Sequence, residues 1–218
     1  MGAFVRFWSS TVGKKVVMAV TGVLLVGFIV GHAAGNLLVF RGPDAFNAYA
    51  ALLKSNMNLL WTARIGLIIA AALHIVAAAQ LTRRQQLARP VGYAQRDPQV
   101  STYASRTIRW GGVVLLIFVV YHLLHFTVGT AHPSFSHTDA YSNVIVGFSV
   151  WWVALLYIVA MIALGLHLYH GVWSAIRTLG LSRPTYQPLK RRAALVLAVA
   201  VTLAFVAIVG AVAAGLVE

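Results

Sequence analysis

A chain of 218 residues that is 60% hydrophobic and only 10% charged is too apolar for an ordinary soluble domain, in which about 25% of residues are charged. It contains no cysteine, which excludes disulfides, thiolate metal ligands and cysteine-bound iron–sulfur clusters. The formal net charge is +13. Because the basic residues lie between long apolar stretches, this charge indicates contact with a lipid bilayer and not with nucleic acid.

Five apolar stretches exceed the roughly 20 residues that a helix needs to cross a bilayer. They cover residues 16–40, 59–81, 108–130, 144–176 and 193–217. The first stretch is too long for the apolar region of a signal peptide, and four more follow it. We therefore predict an all-α membrane protein, a bundle of five transmembrane helices that forms one membrane domain over residues 1–218.

The basic residues predict how the bundle is oriented. If the spans alternate in direction, fourteen of the seventeen Lys and Arg residues fall on one side of the membrane, and only Arg41, Lys54 and Arg64 fall on the other. By the positive-inside rule the N-terminus is cytoplasmic and the C-terminus is outside. Attraction to anionic lipid accounts for most of this charge, and a docking face for a soluble partner is a further interpretation.

The connections between the spans are short and mostly polar. In chain order they are an outer turn at 41–44, a short interfacial helix at 45–53, a cytoplasmic loop at 87–102, an outer loop at 131–143 and a cytoplasmic connector at 183–188. Trp151, Trp152 and Tyr157, near the start of the fourth span, are predicted to lie at the outer interface. The fifth span has no histidine or charge in its interior and is predicted to be scaffold.

In the first span, Gly27, Gly31 and Gly35 repeat at every fourth position and form one smooth stripe on a helix. One interpretation is close packing against another helix through small residues. The other is room for a flat macrocycle beside His32, the neighbour of Gly31. Both interpretations stay open from the sequence.

Each of the first four spans carries a histidine in its interior, at His32, His74, His122 and His167. Ionisable groups inside a membrane span are costly and mark functional sites by default. At a rise of about 1.5 Å per residue, His74 and His167 lie roughly 14–15 Å from the inner charges, and His32 and His122 lie roughly 20–25 Å from them. The spacing therefore predicts two layers, His74 with His167 inside and His32 with His122 outside.

Two facing imidazoles in each layer favour haem. Zinc is a poor candidate because each layer lacks the cysteine or carboxylate needed to complete four ligands. A porphyrin supplies the remaining four donors, and imidazole is a usual axial ligand of haem iron. Bis-histidine ligation leaves no position for oxygen, so the chemistry implied is electron transfer through two haems. From spacing alone, a proton or ion path remains the alternative.

Four further histidines are weaker candidates. His125 and His170 each follow a predicted ligand by three residues, so they lie on nearly the same helix face and compete for the iron. Contacts with haem propionates or a quinone are plausible roles for both, and a polar residue near the interface is an equally good interpretation. His132 and His137 fall in the outer loop, where solvated histidines are ordinary.

These residues resemble a known family, the single-chain, five-helix, di-haem cytochrome b anchors of succinate:quinone oxidoreductases and quinol:fumarate reductases. The resemblance covers nearly the whole chain. It rests on the order and spacing of TGVLLVGFIVGH ending at His32, RGPDAFNAY after the first span, His74 late in the second, YHLLHF in the third and HLYHGVWSAIRTLG at the end of the fourth.

The resemblance implies which histidines bind each haem. His74 and His167 correspond to the axial ligands of the haem proximal to the iron–sulfur subunit, and His32 and His122 to those of the distal haem. The family's ligand stands four residues before the glycine found here at Gly171, which favours His167 over His170. The first histidine of the third-span motif matches best, which selects His122.

The resemblance also implies partners and a substrate. The partners are a flavoprotein (FAD) subunit for succinate and an iron–sulfur subunit, both docked on the cytoplasmic face of a bacterial cytoplasmic membrane. Whether the whole complex forms a higher oligomer stays open. Electrons pass through two haem b groups to menaquinone as part of a respiratory chain. In the family the quinone site lies near the distal haem, where Asp44 is the candidate acid and Asn36 or His125 the candidate hydrogen-bond donors. An inner site near His170 stays open.

Two alternatives accompany this reading. One is a di-haem cytochrome b anchor of another quinone-linked oxidoreductase. The other is a haem-free, proton-coupled membrane transporter, although intramembrane carboxylates or a broken-helix substrate site, typical of transporters, are not evident.

Overall fold

The computed structural model describes residues 2–88, 102–181 and 183–218. These residues are 87% helical and include no strand, which confirms the all-α prediction. Most of the predicted cytoplasmic loop at 87–102, with Arg89, Pro90, Arg96 and Pro98, lies outside the described residues. The α-helices are α1 (Ala3–Ser9), α2 (Thr11–Asn36), α3 (Pro43–Ser55), α4 (Met57–Leu87), α5 (Tyr103–Leu123), α6 (Ala140–Ser149), α7 (Trp151–Thr178) and α8 (Gln187–Ala213).

Five helices within the described ranges are long and apolar enough to cross a membrane, as predicted: Thr11–Arg41, Met57–Leu87, Tyr103–Val128, Trp151–Thr178 and Gln187–Ala213. Several begin before the apolar stretches because polar side chains cap them. Ser10 Oγ accepts a hydrogen bond from the backbone N–H of Gly13 at 2.8 Å, and Asn56 Oδ1 accepts one from Leu59 at 3.0 Å. Hydropathy detects the apolar centre of each helix, whereas the helix itself begins earlier, at the residue that follows its polar cap.

The predicted fourth span, 144–176, is wrong at its start. The helix is interrupted at Val150, whose backbone is extended (φ −81°, ψ 105°), and the spanning helix α7 begins at Trp151. The residues before the break form α6, which buries Tyr141, Val144 and Phe148. Both helices present apolar side chains to the protein, so the apolar run continues across the break and conceals it.

The bundle is built around α2 and α7. Helix α2 packs on α4, α7 and α8, and helix α7 packs on α2, α5 and α8. The main packing neighbour of α4 is therefore α2, and that of α5 is α7. One buried cluster lies where α6, α7 and α8 meet, around Phe148, Tyr157 and Val209. A smaller cluster joins α7 to α8 through Leu168, Ala198 and Val201.

Helices α3 and α6 cover one end of the bundle, which we call the α3–α6 end. Asn47 on α3 joins them, since its amide donates to Asp139 Oδ1 at 3.0 Å and accepts from the backbone N–H of Tyr141 at 3.0 Å. The hydroxyl of Tyr141 donates to the backbone oxygen of Glu218 at 2.8 Å. The positive-inside prediction places this end outside the cell and the opposite, N-terminal end in the cytoplasm.

The short helix expected at 45–53 is α3, which begins at Pro43, two residues earlier. Gly42 has φ +89°, a backbone conformation that glycine adopts most readily. Pro43 stands in the first turn of α3, where its missing N–H costs no helical hydrogen bond. The Gly-Pro pair therefore reverses the chain between the first span and the end cap.

Candidate functional site

His74 on α4 and His167 on α7 lie opposite each other. Their ring centroids are 6.3 Å apart and their planes are inclined by 57°. Both are partly buried. The structure therefore brings together the two histidines that the sequence assigns to the inner layer.

His32 on α2 and His122 on α5 form the second pair. Their ring centroids are 5.8 Å apart, with planes inclined by 83°. Phe28 stacks on His32 at 5.4 Å, and Phe118 lies 5.9 Å from His122. Phe205 on α8 lies 5.8 Å from His32. This outer-layer pair is thus flanked by aromatic rings, and both histidines are partly buried.

The two pairs cross the bundle diagonally. His74 reaches from α4 to α7, whereas the main packing neighbour of α4 is α2. His122 reaches from α5 to α2, whereas the main packing neighbour of α5 is α7. Each pair therefore lies between two helices that are not primarily packed on each other, which is where a bundle accommodates a cofactor between facing side chains.

Hydrogen bonds orient the ring of His74. Its Nδ1 lies 3.0 Å from the carbonyl oxygen of Met18, and since a carbonyl can only accept, Nδ1 carries the proton. The hydroxyl of Thr21 lies 3.3 Å from the same nitrogen and donates to the carbonyl of Val17 at 2.7 Å. The lone pair of His74 is therefore on Nε2. Metal-binding histidines usually donate their other ring N–H to a backbone carbonyl or carboxylate in this way, which fixes the tautomer and the ring orientation.

His167 has an unsatisfied ring nitrogen. Its Nδ1 is buried and has no hydrogen-bond partner in the part of the chain that the structure describes, which is uncommon for a buried polar atom. Glycines lie beside both rings of this pair. A Cβ atom at Gly22 would lie 3.3 Å from Cε1 of His74, and one at Gly112 would lie 3.9 Å from Cε1 of His167.

The three glycines of the stripe in the first span do not share one environment. A Cβ atom at Gly35 would lie 2.5 Å from the ring of Tyr49, so Gly35 permits close packing of α3 on α2. Gly27 and Gly31 are exposed, and a Cβ atom at either would meet open space. Close packing therefore explains Gly35 alone among the three glycines, and it explains neither Gly27 nor Gly31.

Asn36 and Asp44 occupy different environments. Asn36 Nδ2 donates to the carbonyl oxygen of His32 at 2.7 Å and lies 3.3 Å from its Nδ1, so this amide contacts the outer pair directly. Asp44 is exposed in the first turn of α3, where the helix dipole stabilises a carboxylate.

The two rival histidines differ in their surroundings. His125 is fully buried, with 0% of its surface exposed, and lies in a π-helical turn that follows α5. Its ring stacks on Tyr121 at 5.4 Å and on His132 at 4.9 Å. His125 therefore packs into the α3–α6 end, in contrast to His122, which faces His32. His170 is partly buried one turn beyond His167, toward the N-terminal end.

The expectation of a solvated His132 is wrong. Only 8% of its surface is exposed, and both ring nitrogens are bonded to backbone. Nε2 lies 2.8 Å from the carbonyl oxygen of Asn143, and Nδ1 accepts from the N–H of Ser134 at 3.0 Å. His137 is exposed, as expected, and its carbonyl accepts from Lys54 at 2.8 Å.

Tyr157 was missed as a site residue. The sequence predicts Tyr157 at the outer interface with Trp151 and Trp152. Both tryptophans are exposed, whereas only 4% of the surface of Tyr157 is exposed. Its hydroxyl lies 3.0 Å from Nδ1 of His125 and 3.3 Å from Nδ1 of His122. The available signal was a tyrosine hydroxyl in the apolar first half of α7, which needs a partner when it is buried.

The donor set fits haem better than a bare metal ion. Within the described ranges no group of three or more His, Cys, Asp or Glu side chains is placed to hold a metal. Two imidazoles bound on opposite sides of one metal at about 2 Å per bond would have ring centroids roughly 6 Å apart. The distances of 6.3 and 5.8 Å agree with this arrangement.

The sequence matches the model of one protein family, described as the succinate dehydrogenase/fumarate reductase transmembrane subunit, over residues 82–207. The matched region is more than half of the chain and includes α5, α6 and α7 with His122 and His167. No match is found among curated proteins or among solved structures.

Proposed function

The chain belongs to the family of succinate dehydrogenase/fumarate reductase transmembrane subunits, and we propose that it carries electrons between the catalytic subunits of such a complex and menaquinone by means of two b haems. The coarse role follows from the family: a multi-pass membrane subunit of an oxidoreductase complex. Haem, quinone and electron transfer are the proposal.

The observation that carries the proposal is the pairing of four intramembrane histidines. They come from four different helices and meet as two pairs, His74 with His167 and His32 with His122. A single buried histidine is easily explained as a hydrogen-bonded core residue. Two facing pairs without carboxylates suit axial ligation of two haems, proximal and distal respectively.

The side chains around each pair hold and orient it. The carbonyl of Met18 keeps Nε2 of His74 free for a metal, and Phe28 and Phe205 flank the ring of His32. When bound, bis-histidine haems supply one-electron transfer. Gly31 is exposed and a Cβ atom there would meet open space, so no side chain at this position obstructs a flat macrocycle beside His32.

Menaquinone is proposed to react at the distal pair. Asn36 is the favoured donor to a quinone carbonyl because its amide already contacts His32. Asp44 is the proposed acid, exposed at the same end of the bundle. His125 is a weaker donor candidate, since its ring is enclosed by protein on every side.

The flavoprotein and iron–sulfur subunits are proposed to dock at the N-terminal end, on the cytoplasmic face of a bacterial membrane. Some basic side chains there brace the bundle itself. Arg84 donates to the carbonyl of Ser9 at 2.9 Å, and Arg109 donates to Gln85 at 2.6 Å. Others are exposed, where an acidic partner can reach them: Lys15, Arg83, Arg106, Arg177 and Arg192.

The proposal is tested by adding succinate to membranes that contain the intact complex. We expect haem bands to be reduced and menaquinone to be consumed. The His32→Ala variant should lose quinone reduction but retain succinate oxidation with a soluble artificial electron acceptor. A wild-type complex in which succinate reduces quinone without any haem signal would contradict the proposal.

A further inference from the structure

Tyr157 contacts two histidines of the third span at once. Its hydroxyl lies 3.3 Å from Nδ1 of His122 and 3.0 Å from Nδ1 of His125. The hydroxyl is buried with its ring among Phe118, Phe148 and other aromatic side chains. Water is therefore a poor substitute for either contact.

A hydroxyl has one proton, so these contacts are linked. If Tyr157 donates to one imidazole, it can only accept from the other. The tautomer of His122 and the tautomer of His125 are therefore set together. In one arrangement His122 has its proton on Nδ1 and its lone pair on Nε2. In the reverse arrangement Nε2 of His122 is protonated and cannot bind a metal.

We propose that Tyr157 is a positioning residue for His122: it accepts the Nδ1 proton of His122 and donates its own proton to Nδ1 of His125. This inference rests on the proposed haem function, because it assigns His122 as a distal axial ligand. The relay directs the Nε2 lone pair of His122 toward His32, and His125 acts as the terminal acceptor.

The surroundings of His125 fix the position of its ring. Among the described residues its Nε2 is buried without a hydrogen-bond partner. Acceptance at Nδ1 places the His125 proton on this nitrogen, so it is the ligand role proposed for His122 that selects this arrangement over the reverse one. The ring of His125 is held between Tyr121 and His132, and His132 is held in turn by two backbone groups. The acceptor therefore cannot rotate away from Tyr157 without disturbing the end cap.

The relay predicts a change in the reduction potential of one haem. A hydrogen bond accepted from the Nδ1 proton of a ligand histidine raises the basicity of the ligand, and such bonds are one means by which a protein tunes haem potentials. Tyr157→Phe removes the acceptor, so the ferric state of the distal haem is less stabilised. Its midpoint potential becomes more positive, and the proximal haem is unchanged.

Tyr121 offers a matched control. Its ring also stacks on His125, but its hydroxyl is buried and has no hydrogen-bond partner within residues 2–88, 102–181 and 183–218. Tyr121→Phe therefore removes the same atoms from the same cluster without touching the relay. His125→Phe is the second test variant, since it keeps Tyr157 but removes the terminal acceptor.

The experiment is a potentiometric titration of the purified complex, with haem counted per chain and the ferric haem signals recorded by electron paramagnetic resonance. We expect Tyr157→Phe to shift the component that is absent from the His122→Ala protein, and Tyr121→Phe to shift neither. His125→Phe should shift the same component in a Tyr157 background and have no further effect in a Tyr157→Phe background.

Unchanged potentials and signals in both Tyr157→Phe and His125→Phe, with two haems bound, would overturn the relay and leave the haem function intact. If Tyr157→Phe loses the distal haem, the potential of that haem in His125→Phe tests the relay. A shift supports the relay, and an unchanged potential overturns it. A wild-type chain without haem would instead overturn the proposed function itself.

Discussion

The imidazole rings of His74 and His167 lie 6.3 Å apart, centroid to centroid, although they come from helices whose main packing neighbours are other helices. The same holds for His32 and His122 at 5.8 Å. This pairing of side chains from helices that do not mainly pack on each other is the geometric basis of the two proposed haem sites.

Removing either member of the inner pair should remove one haem. His74→Ala or His167→Ala leaves a single imidazole, which cannot provide bis-histidine ligation. We expect haem per chain to fall from two to one, with the loss confined to the proximal signal. His170→Ala is the matched control on the same helix and should retain both haems. Loss of haem in the control, with retention in His167→Ala, would reverse the choice of ligand on α7.

The outer pair gives the corresponding result for the distal haem. His32→Ala or His122→Ala should leave only the proximal signal. His125→Ala should retain two haems, because its ring packs into the end cap and not toward His32. It should nevertheless destabilise the protein by about 2–4 kcal/mol, since it leaves a cavity in a buried cluster. Haem content and thermal unfolding in detergent measure the two effects separately.

The glycine stripe makes two opposite predictions. Gly35→Ala places a methyl group against Tyr49 and should destabilise the protein by about 1–3 kcal/mol through overpacking. Gly31→Ala meets open space and should leave unfolding unchanged. If that space accommodates a macrocycle, Gly31→Ala should lower occupancy of the distal haem alone. Equal destabilisation by both variants would show that the whole stripe serves helix packing.

Acid should weaken the α3–α6 end cap through Asp139. Hydrogen bonds from Ser142, and then from Asn47, hold the pKa of this carboxyl below its usual value. A lowered folded-state pKa gives stability that is present above the ordinary pKa of about 4 and is lost as the pH falls through the folded-state value. Thermal unfolding should therefore show a downward step below about pH 4.

Asp139→Ala is the variant that isolates this effect. It should lower stability by about 1 kcal/mol at neutral pH, because Asp139 also caps α6 by accepting from the backbone of Ser142 at 3.0 Å. It should also remove the part of the acid step that comes from this carboxyl. An acid step of wild-type size in the variant would assign it to other groups.

Hydropathy and histidine depth were sufficient to predict the five spans and to place four histidines in two layers. Both depend on regular helical rise, which varies little between helices. The break at Val150 was not predictable in this way, because α6 and α7 are apolar on both sides of it. Hydropathy reports that a residue avoids water and does not distinguish burial in protein from exposure to lipid.

The same limit explains the errors at Tyr157 and His132. Tyr157 has the composition of an interfacial aromatic residue, and only the tertiary contacts with His122 and His125 show that it belongs to the site. His132 lies in a polar loop, and its burial depends on a backbone carbonyl of α6 folding over it. Contacts between distant segments fix both residues, and a single sequence contains no direct record of them.

The most direct test of the proposed haem binding is a reduced-minus-oxidised visible spectrum of the purified chain, with haem counted per polypeptide. We expect two low-spin b-type haems per chain. One haem would show that one of the two histidine pairs is misassigned. No haem in a well-folded preparation would contradict the cytochrome assignment and favour a proton-conducting role for the four histidines.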